Sequence, residues 1–402
     1  MHSAINTGVV ERLKLDRVLV VFGTRPEAIK MAPVIHELCK HCSATTKVCV
    51  TAQHRQMLDQ VLSRFEIKPD FDLDLMKPDQ QLPDLTAAVL CGMRDLFRRW
   101  RPDLVLVQGD TTTTFAASLA AFYENIPVGH IEAGLRTGNK QAPWPEEVNR
   151  SLTGTLATFH FAPTSGAREN LISEGIDPNS IVVTGNTVID ALRDVVCRFK
   201  TDATLRSPLE ERFSYLDPKR RLILVTGHRR ENFGEGLQRI CRALRQLADR
   251  DDVEIIYPVH LNPNIYRPVR QFLGNLNNIH LVEPLEYLQF AYLMQQSFLI
   301  LTDSGGIQEE APFLGKPVLL MRDTTERPEA VSAGTVKLVG TDEQVILHEA
   351  TRLLDDKEAY LSMAKAVNPF GDGFAARKIV AFLNLVAGKE TVHINAAHAE
   401  MP

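Results

Sequence analysis

Short apolar segments rich in β-branched residues alternate with longer helical patterns along almost the whole chain. Such alternation is typical of β-α units, in which helices cover both faces of a parallel sheet. The first group of apolar segments consists of RVLVVFG, KVCVTA, DFDLDLM, DLVLVQGD, PVGHIEA, FHFAPT and IVVTGN. The second group consists of RLILVTGH, VEIIYPVH, NIHLVEP, SFLILTDS, KPVLLM and TVKLVG. The sequence therefore predicts an α/β protein with two parallel sheets.

The length of 402 residues, 44% of them hydrophobic, is enough for two domains that each have a core. The helical pattern TVIDALRDVVCRF is followed by a polar stretch, so we place the domain change near residue 186. We expect two Rossmann-like domains, at 1–185 and 186–369, and a segment 370–402 that resumes as a helix. Because ligands bind beyond the carboxyl ends of parallel strands, two such sheets that face each other would share one cleft.

The balance of 45 Lys and Arg against 50 Asp and Glu gives a net charge of −5. No overall basic field exists to hold nucleic acid or an anionic membrane, so neither is expected as a partner. No apolar run reaches the roughly 18 residues of a membrane span, and the N-terminus lacks the apolar run of a secretory signal. A cytoplasmic location is expected.

Six cysteines are scattered through the chain, mostly inside apolar patterns, which predicts buried thiols in a reducing compartment. Cys39 and Cys42 have a spacing seen in zinc sites, but no second pair completes four ligands. We therefore expect no bound metal.

The turn GTRPEAIK after the first predicted strand lacks the features of a dinucleotide site. Such a site needs three glycines and an acid about 20 residues further on. Gly23 stands alone here, and the next strand ends in Thr51-Ala52-Gln53 without a carboxylate. No nicotinamide or other cofactor is expected. Arg25 instead offers a fixed charge that can fork onto a phosphate or carboxylate; a surface arginine at a loop is the alternative.

Two motifs in the second half point to a diphosphate. In DSGGIQEE, Ser304, Gly305 and Gly306 let backbone amides and a hydroxyl approach an anion. Glu310 either accepts from ribose hydroxyls or is an acid that favours the helix dipole. In TGHRREN, His228 can donate to a phosphate or serve as an acid; an exposed basic loop is the alternative. The segments LVVFGTR and LILVTGHR echo each other at the ends of the two leading strands.

Three carboxylates lie at the ends of predicted strands or at the start of a predicted helix. Asp110 ends VLVQGD, Glu132 lies in GHIEAGLRTG, and Glu146 lies in PWPEEVNR. Acids at strand ends point into a ligand cleft more often than not, although Glu146 or Glu147 could simply begin a helix. Lys30 lies about one helical turn beyond Arg25 and could anchor one of these acids, or could be a solvated lysine.

Eight segments together resemble the non-hydrolysing UDP-N-acetylglucosamine 2-epimerases, over roughly residues 17 to 388: GTRPEAIKMAP, AQHRQMLDQVL, QGDTTTTFAASLAAF, HIEAGLRTG, PEEVNRSLTG, TGNTVIDAL, TGHRREN and TDSGGIQEEAPFLGKPVL. The resemblance implies a GT-B arrangement, with the active site in the cleft between two Rossmann-like domains and the last helix crossing back to the first. It also implies a homodimer that interconverts UDP-GlcNAc and UDP-ManNAc for polysaccharide synthesis.

The resemblance also implies roles for individual residues. The implied catalytic acids are Asp110, Glu132 and Glu146. The groups implied around the diphosphate, sugar, ribose and uracil are Arg25, Lys30, Arg150, His228, Ser304, Gly305, Gly306, Glu310 and Phe290. A second, activating UDP-GlcNAc would be held by Gln53, Gln56, Arg229 and His260. An arginine that such activation would require near positions 78–80 is absent, since Pro78-Asp79-Gln80 stands there.

The hydrogen at C2 of the sugar is barely acidic, because no carbonyl is adjacent to it. Without a nicotinamide site, we expect UDP to leave from C1 first, which builds positive charge that acidifies C2. A carboxylate then removes the proton to give a 2-acetamidoglucal, and UDP adds back. Inversion needs an acid/base group on each face. The alternatives are a GT-B glycosyltransferase with a UDP-sugar donor and a nucleotide-sugar sensor without turnover.

Overall fold

The computed structural model describes residues 13–52, 55–75 and 80–389, and it describes 55–57 through their backbone alone. The chain forms two compact units. The first ends at Ala191 and resumes at Gly373, and the second spans Leu192–Asp372. The domain limits drawn from the sequence, at residues 185 and 369, remain predictions.

The first unit is built on a seven-stranded parallel sheet with the order β3-β2-β1-β4-β5-β6-β7. Its strands are β1 (Arg17–Phe22), β2 (Thr45–Val50), β3 (Phe71–Asp72), β4 (Leu104–Gln108), β5 (Val128–Ile131), β6 (Phe159–Ala162) and β7 (Ile181–Val183). Val18 of β1 is opposite Thr46 of β2 and Leu104 of β4. The chain order therefore reverses direction across the sheet between β1 and β4, where such folds bind ligands.

The second unit is built on a six-stranded parallel sheet with the order β10-β9-β8-β11-β12-β13. Its strands are β8 (Arg221–Thr226), β9 (Val253–Pro258), β10 (Ile279–Val282), β11 (Leu299–Thr302), β12 (Val318–Leu320) and β13 (Val336–Leu338). Ile223 of β8 is opposite Ile255 of β9 and Leu299 of β11. Both predicted sets of strands, and their parallel pairing, are confirmed.

Helices connect the strands of both sheets. They are α1 (Arg25–His41), α2 (Arg55–Arg64), α3 (Leu82–Arg99), α4 (Thr112–Tyr123), α5 (Glu146–Leu156), α6 (Ser165–Ser173), α7 (Thr187–Thr201), α8 (Ala203–Arg212), α9 (Glu235–Leu247), α10 (Pro263–Leu273), α11 (Tyr287–Gln296), α12 (Ile307–Phe313), α13 (Pro328–Ser332), α14 (Glu343–Asp355), α15 (Lys357–Ala364) and α16 (Ala375–Val386). None of them, within the described ranges, is long and apolar enough to cross a membrane.

The strands of each sheet are buried because helices pack on them with apolar faces. Helix α9 shows the pattern, since its buried residues recur at the spacing of one helical face: Leu237, Ile240, Cys241, Leu244 and Leu247. These side chains join Ile223 and Val225 of β8 in the core of the second unit. In the first unit, Leu19 and Val21 of β1 share a core with residues of α3, α4 and β4.

Helix α16 belongs to the first unit. Its first backbone amides, those of Ala375 and Ala376, donate to the carboxylate of Asp190 at 3.1 and 2.8 Å. Phe382 packs edge-on against Phe159 and Phe161 of β6, with ring centroids 5.5 and 5.8 Å apart. This helix lies within the segment 370–402 in which a helix is expected, and it packs on one face of the first sheet; residues 390–402 of that segment lie outside the described residues.

The polar stretch after α7 is partly helical, and the expectation of buried cysteines needs correction. The polar stretch after α7 contains helix α8, whose N-cap Asp202 accepts from the amides of Thr204 and Leu205. The cysteines are all free, but only Cys49 and Cys241 are buried, whereas others such as Cys39 are exposed. An apolar pattern indicates a helix or strand without fixing how deeply each thiol lies in it.

Candidate active site

A single buried carboxylate organises the turn after β1. Glu27 is 2% exposed, and its Oε2 accepts from the backbone amides of Gly23 and Thr24 at 3.1 and 2.8 Å. The hydroxyl of Thr24 donates to the same oxygen at 2.7 Å. Its Oε1 accepts from the hydroxyls of Thr111 and Thr114 at 2.7 and 3.1 Å. Burial raises the pKa of Glu27, and these hydrogen bonds act in the opposite direction.

The lone glycine of this turn is required for packing. A Cβ atom at Gly23 would lie 2.3 Å from Oγ1 of Thr51 and 2.5 Å from Oγ1 of Thr113. These two hydroxyls are hydrogen-bonded to each other at 2.9 Å in the interior. Gly23 therefore allows the end of β1 to pack closely against Thr51 and Thr113. This packing role differs from that of a glycine that makes room for a pyrophosphate.

Arg25 is the first residue of α1, and Lys30 lies in the second turn of the same helix. Arg25 is partly exposed and makes no ion pair within the described part of the chain, so its charge is available to a ligand. Lys30 forms an ion pair with Oε2 of Glu132, which also accepts from Nε2 of Gln108 at 2.5 Å. Of the two sequence-based interpretations of Lys30, the structure favours the anchor of a carboxylate.

Glu132 follows β5 and has a φ of +64°, in the left-handed region that non-glycine residues seldom adopt. Its side chain is 7% exposed. Backbone strain at a partly buried, ion-paired carboxylate is typical of functional sites.

Asp110, which follows β4, is held by two side chains of α5. Its Oδ2 accepts from Nη2 of Arg150 at 2.5 Å, and its backbone carbonyl accepts from Nδ2 of Asn149 at 3.0 Å. The neighbouring carbonyl of Gly109 accepts from Nε2 of His130 at 2.7 Å. Burial lowers the pKa of His130 to about 3, so the imidazole is neutral and Nε2 carries its proton. The Asp110 side chain remains 30% exposed, within reach of a ligand.

Glu146 and Glu147, which the sequence could not tell apart, have different environments. Glu147 is buried and accepts from the amides of Thr137 and Gly138, each at 2.9 Å, and from Nη1 of Arg150 at 3.1 Å. Glu146, the first residue of α5, is partly exposed and has no hydrogen bond or ion pair to any described side chain. Glu147 therefore supports the structure, and Glu146 is the carboxylate available for chemistry.

The second unit also has a buried carboxylate at a strand-end turn. Asp303, which follows β11, is 1% exposed. Its Oδ2 accepts from the backbone amides of His228 and Arg229 at 2.9 and 2.8 Å, and from Nδ2 of Asn232 at 3.3 Å. Its Oδ1 lies 3.3 Å from Nδ1 of His228. The turn after β8 is thus fixed from the neighbouring strand.

Burial lowers the pKa of His228, and the carboxylate of Asp303 opposes that shift. Arg229, His260 and Arg322 are positive or potentially positive neighbours that lower it further. The His228 side chain is 45% exposed and can reach a ligand.

The segment Ser304-Gly305-Gly306 leads into α12. The amide of Ser304 donates to Oγ1 of Thr302 at 2.9 Å. A Cβ atom at Gly305 would lie 2.9 Å from Nη1 of Arg327, so the glycine lets a guanidinium lie against the backbone. Nε of Arg327 donates to Oε1 of Glu309 at 2.5 Å, which fixes the arginine. Arg327 adds positive charge beside the predicted diphosphate cradle.

Gly306 is the N-cap of α12, and Glu310 lies one turn into that helix. Oε1 of Glu310 accepts from the hydroxyl of Tyr287 at 3.3 Å. Phe290 lies on α11, the helix that begins at Tyr287, and is partly buried. The structure therefore brings Glu310 near the helix that carries Phe290.

The residues expected to hold a second nucleotide sugar are only partly described. Gln53 lies outside the described residues, and of Gln56 only the backbone is described. Arg229 lies 3.7 Å from Glu326, and His260 is exposed. The rings of His260 and His228 are 6.4 Å apart.

Sequence reasoning missed three residues: Glu27, Asp303 and Arg327. Thr24-Arg25-Pro26-Glu27 is a capping-box pattern, so Glu27 had a readable signal. Asp303 stands at a strand end in the quoted DSGG motif, but its partners are on another strand. Arg327 lies in the segment TTERPEA, which carries no comparable signal.

Comparisons with known proteins place these observations in context. A family model described as UDP-N-acetylglucosamine 2-epimerase matches residues 36–384. The UDP-N-acetylglucosamine 2-epimerase of Escherichia coli O157:H7 is 58% identical over 365 residues, which cover 90% of this chain and 97% of that relative.

Two solved structures are also similar. The crystal structure of UDP-GlcNAc 2-epimerase from Neisseria meningitidis bound to UDP-GlcNAc has a TM-score of 0.85 and 56% identity, covering 91% of this chain and 99% of that one. The S. aureus MnaA-UDP co-structure has a TM-score of 0.82 and 46% identity, covering 94% and 98%.

Proposed function

Because the chain belongs to the UDP-N-acetylglucosamine 2-epimerase family, we propose that it inverts C2 of UDP-GlcNAc by eliminating UDP and adding it back. The resemblance read from the sequence is confirmed at the level of the family. Epimerisation of UDP-GlcNAc is the function of this enzyme, and UDP-ManNAc is the product. The proposal concerns the route: UDP departs, a bound 2-acetamidoglucal forms, and UDP rather than water returns to C1.

The observation that carries the proposal is the set of carboxylates at one edge of the first sheet. Asp110 and Glu132 follow β4 and β5, which are neighbouring strands. Asp110 is paired with Arg150, and Glu132 is paired with Lys30, so each acid is held in place by its own cation. Inversion of a carbon through a planar intermediate needs one group to remove a proton and another to deliver it. Glu146 is a third, unpaired carboxylate within this unit.

The second unit supplies the groups that suit a departing diphosphate. Asp303 holds the turn that carries His228, Glu309 holds Arg327, and Thr302 accepts from the amide of Ser304, the residue before Gly305 and Gly306. A preorganised donor aimed at developing negative charge contributes about 3–4 kcal/mol to a barrier. We assign Arg25 and Lys30 of the first unit to the same substrate.

The nucleoside end is assigned to Glu310, for the ribose hydroxyls, and to Phe290, for the uracil face. A ring stacked on a planar base and a carboxylate that accepts from vicinal hydroxyls suit uridine. The similar N. meningitidis enzyme is bound to UDP-GlcNAc and the S. aureus protein to UDP, which supports both as ligands here.

The test is isotope exchange in heavy water with UDP-GlcNAc alone. We expect deuterium at C2 of both recovered UDP-sugars, measured by proton NMR and mass spectrometry. UDP release that depends on an added sugar acceptor would identify a glycosyltransferase instead. Tight binding without exchange or release would identify a sensor.

Asp110→Asn tests the carboxylate directly. We expect UDP affinity to stay within roughly tenfold, about 1.4 kcal/mol, while exchange at C2 is lost. Asp84→Asn is the matched control, since Asp84 is exposed on α3 and should leave both measurements unchanged. Near-normal exchange in Asp110→Asn would remove Asp110 from the mechanism.

We also propose a homodimer in the cytoplasm. Helix α5 exposes Val148 and Leu152 one turn apart, and α4 ends with Phe122 and Tyr123, 57% and 64% exposed. Such apolar exposure suits an interface between subunits. Free cysteines that are exposed, such as Cys91, suit a reducing compartment. Light scattering of wild type and Leu152→Glu tests the dimer, which we expect the variant to weaken.

Two finer assignments complete the proposal. The product supplies synthesis of a polysaccharide that contains ManNAc-type sugars. The family resemblance assigns Arg229, His260, Gln53 and Gln56 to contacts with a second UDP-GlcNAc, although the arginine expected near positions 78–80 is absent from this chain. If these residues make such contacts, conversion of UDP-ManNAc should accelerate when a trace of UDP-GlcNAc is added, and a flat response would remove this regulatory assignment.

A further inference from the structure

The two carboxylate oxygens of Asp303 have different partners. Oδ2 is occupied by three donors, the amides of His228 and Arg229 and the side chain of Asn232, at 2.8 to 3.3 Å. Oδ1 is buried and accepts no hydrogen bond from the described residues, and it lies 3.3 Å from Nδ1 of His228. One oxygen therefore builds the turn, and the other faces an imidazole.

The imidazole has an inner and an outer edge. Asp303 is 1% exposed as a residue, whereas the His228 side chain is 45% exposed. Because Nδ1 faces the buried carboxylate, the exposed edge of the ring is the one that carries Nε2. A ligand can therefore meet Nε2 while Nδ1 stays against Asp303.

The other charged groups around the ring oppose a positive imidazole. Arg229 is on the same turn, His260 follows β9, and Arg322 follows β12, and all three lower the pKa of His228. Burial lowers it too, whereas the carboxylate of Asp303 raises it and so favours the protonated ring. Arg229 and Arg322 also have acidic partners, Glu326 and Glu231, but the carboxylate beside Nδ1 is that of Asp303.

We propose that Asp303 is a positioning residue for His228: its carboxylate faces Nδ1–H and favours the imidazolium, and this cation presents Nε2–H to the departing diphosphate. This inference rests on the proposed function, in which His228 contacts the leaving group. When the bond from C1 to the diphosphate oxygen breaks, its electron pair stays on UDP. The His228 cation donates a hydrogen bond to that growing negative charge, and no proton needs to be transferred.

The test is Asp303→Asn, which removes the charge and keeps the shape. Imidazole nitrogen NMR of labelled protein should show Nδ1 of His228 protonated in wild type at all pH values. In the variant, the midpoint of His228 titration should fall by about one pH unit or more, since an opposite charge within a few ångströms favours the charged form by that amount. His228→Gln identifies the resonance.

The same shift should appear in the activity profile. If cationic His228 acts, kcat/KM for UDP-GlcNAc is highest below the His228 pKa and falls as the pH rises through it. A lower pKa in Asp303→Asn therefore moves this alkaline decline to lower pH by the same interval. Asp251→Asn is the matched control, because Asp251 is exposed in the same unit and should shift neither measurement.

Two outcomes would overturn the proposal. One is a wild-type His228 whose neutral form carries its proton on Nε2, which needs no variant to detect. The other is an Asp303→Asn protein that binds UDP less tightly but keeps both the NMR midpoint and the alkaline decline, as expected if Asp303 only builds the turn. If the wild-type protein showed no deuterium exchange at C2, the proposed function would be refuted. The NMR result would still decide whether Asp303 keeps Nδ1 of His228 protonated.

Discussion

The turns after β1 and β8 are each built around one buried carboxylate, but the two carboxylates use their oxygens differently. Glu27 accepts from five donors of the protein, which leave neither oxygen for a ligand. Asp303 commits one oxygen to its turn and turns the other toward His228. A saturated carboxylate contributes mainly to stability, whereas a partly occupied one sets the charge of its neighbour.

The two carboxylates nevertheless occupy related places. Strand β1 is adjacent to β4, as β8 is adjacent to β11, and each pair is where the strand order reverses. Glu27 ties the turn after β1 to Thr111 and Thr114 at the start of α4, and Asp303 ties the end of β11 to the turn after β8. Ligands of such sheets bind where the order reverses, so both carboxylates shape a binding edge.

The largest expected effect is that of Glu27→Ala on stability. The change leaves two backbone amides and several hydroxyls without their acceptor, and each unsatisfied buried group costs about 1–3 kcal/mol. We expect a loss of at least about 3 kcal/mol in the free energy of unfolding of the first unit, measured by urea denaturation with a fluorescence probe placed there.

Glu169→Ala is the control for this change. Glu169 is an exposed acid on α6, paired with Arg168 on the surface, and its loss should cost less than about 1 kcal/mol. Equal effects of the two alanine variants would mean that the hydrogen bonds of Glu27 carry little net stability.

The sequence predicted the strands of both sheets because their apolar runs are local and continuous. It also contained the capping-box spacing of Thr24 and Glu27, a local signal of three residues. The partners of Lys30 and Asp110, by contrast, are Glu132 and Arg150, which are 102 and 40 positions away. Their pairing depends on strand order and register, which local patterns do not determine.

The dependence on distant contacts also explains why the sequence did not distinguish the roles of Glu146 and Glu147. Both residues satisfy the preference for acids in a first helical turn. The distinction arises because the loop at Thr137 and Gly138 folds back onto Glu147. No spacing rule relates that loop to the helix, so the choice required the structure.

The effect of intermediate size is the loss of stability when the glycine of each turn is replaced by alanine. Gly23→Ala brings Cβ within 2.3 and 2.5 Å of two buried threonine hydroxyls on different elements, whereas Gly227→Ala meets one tyrosine hydroxyl at 2.8 Å. We expect overpacking to cost about 2–3 kcal/mol at Gly23 and about 1 kcal/mol at Gly227, measured as above with a probe in each unit. The reverse order would mean that the second turn is the more tightly packed.

The smallest expected effect tests whether the Thr24 hydroxyl stabilises the turn by donating to Glu27. Thr24→Ala removes one hydroxyl donor and should cost about 1 kcal/mol, while Thr24→Ser keeps the hydroxyl and should cost less. In a Glu27→Ala background, Thr24→Ala should cost almost nothing, because its acceptor is already absent. The double-mutant cycle would then give a coupling of about 1 kcal/mol. Additive losses would show that the Thr24 hydroxyl stabilises the start of the helix independently of Glu27. Glu27 would then not be the common acceptor of this turn, and the contrast with Asp303 would fail.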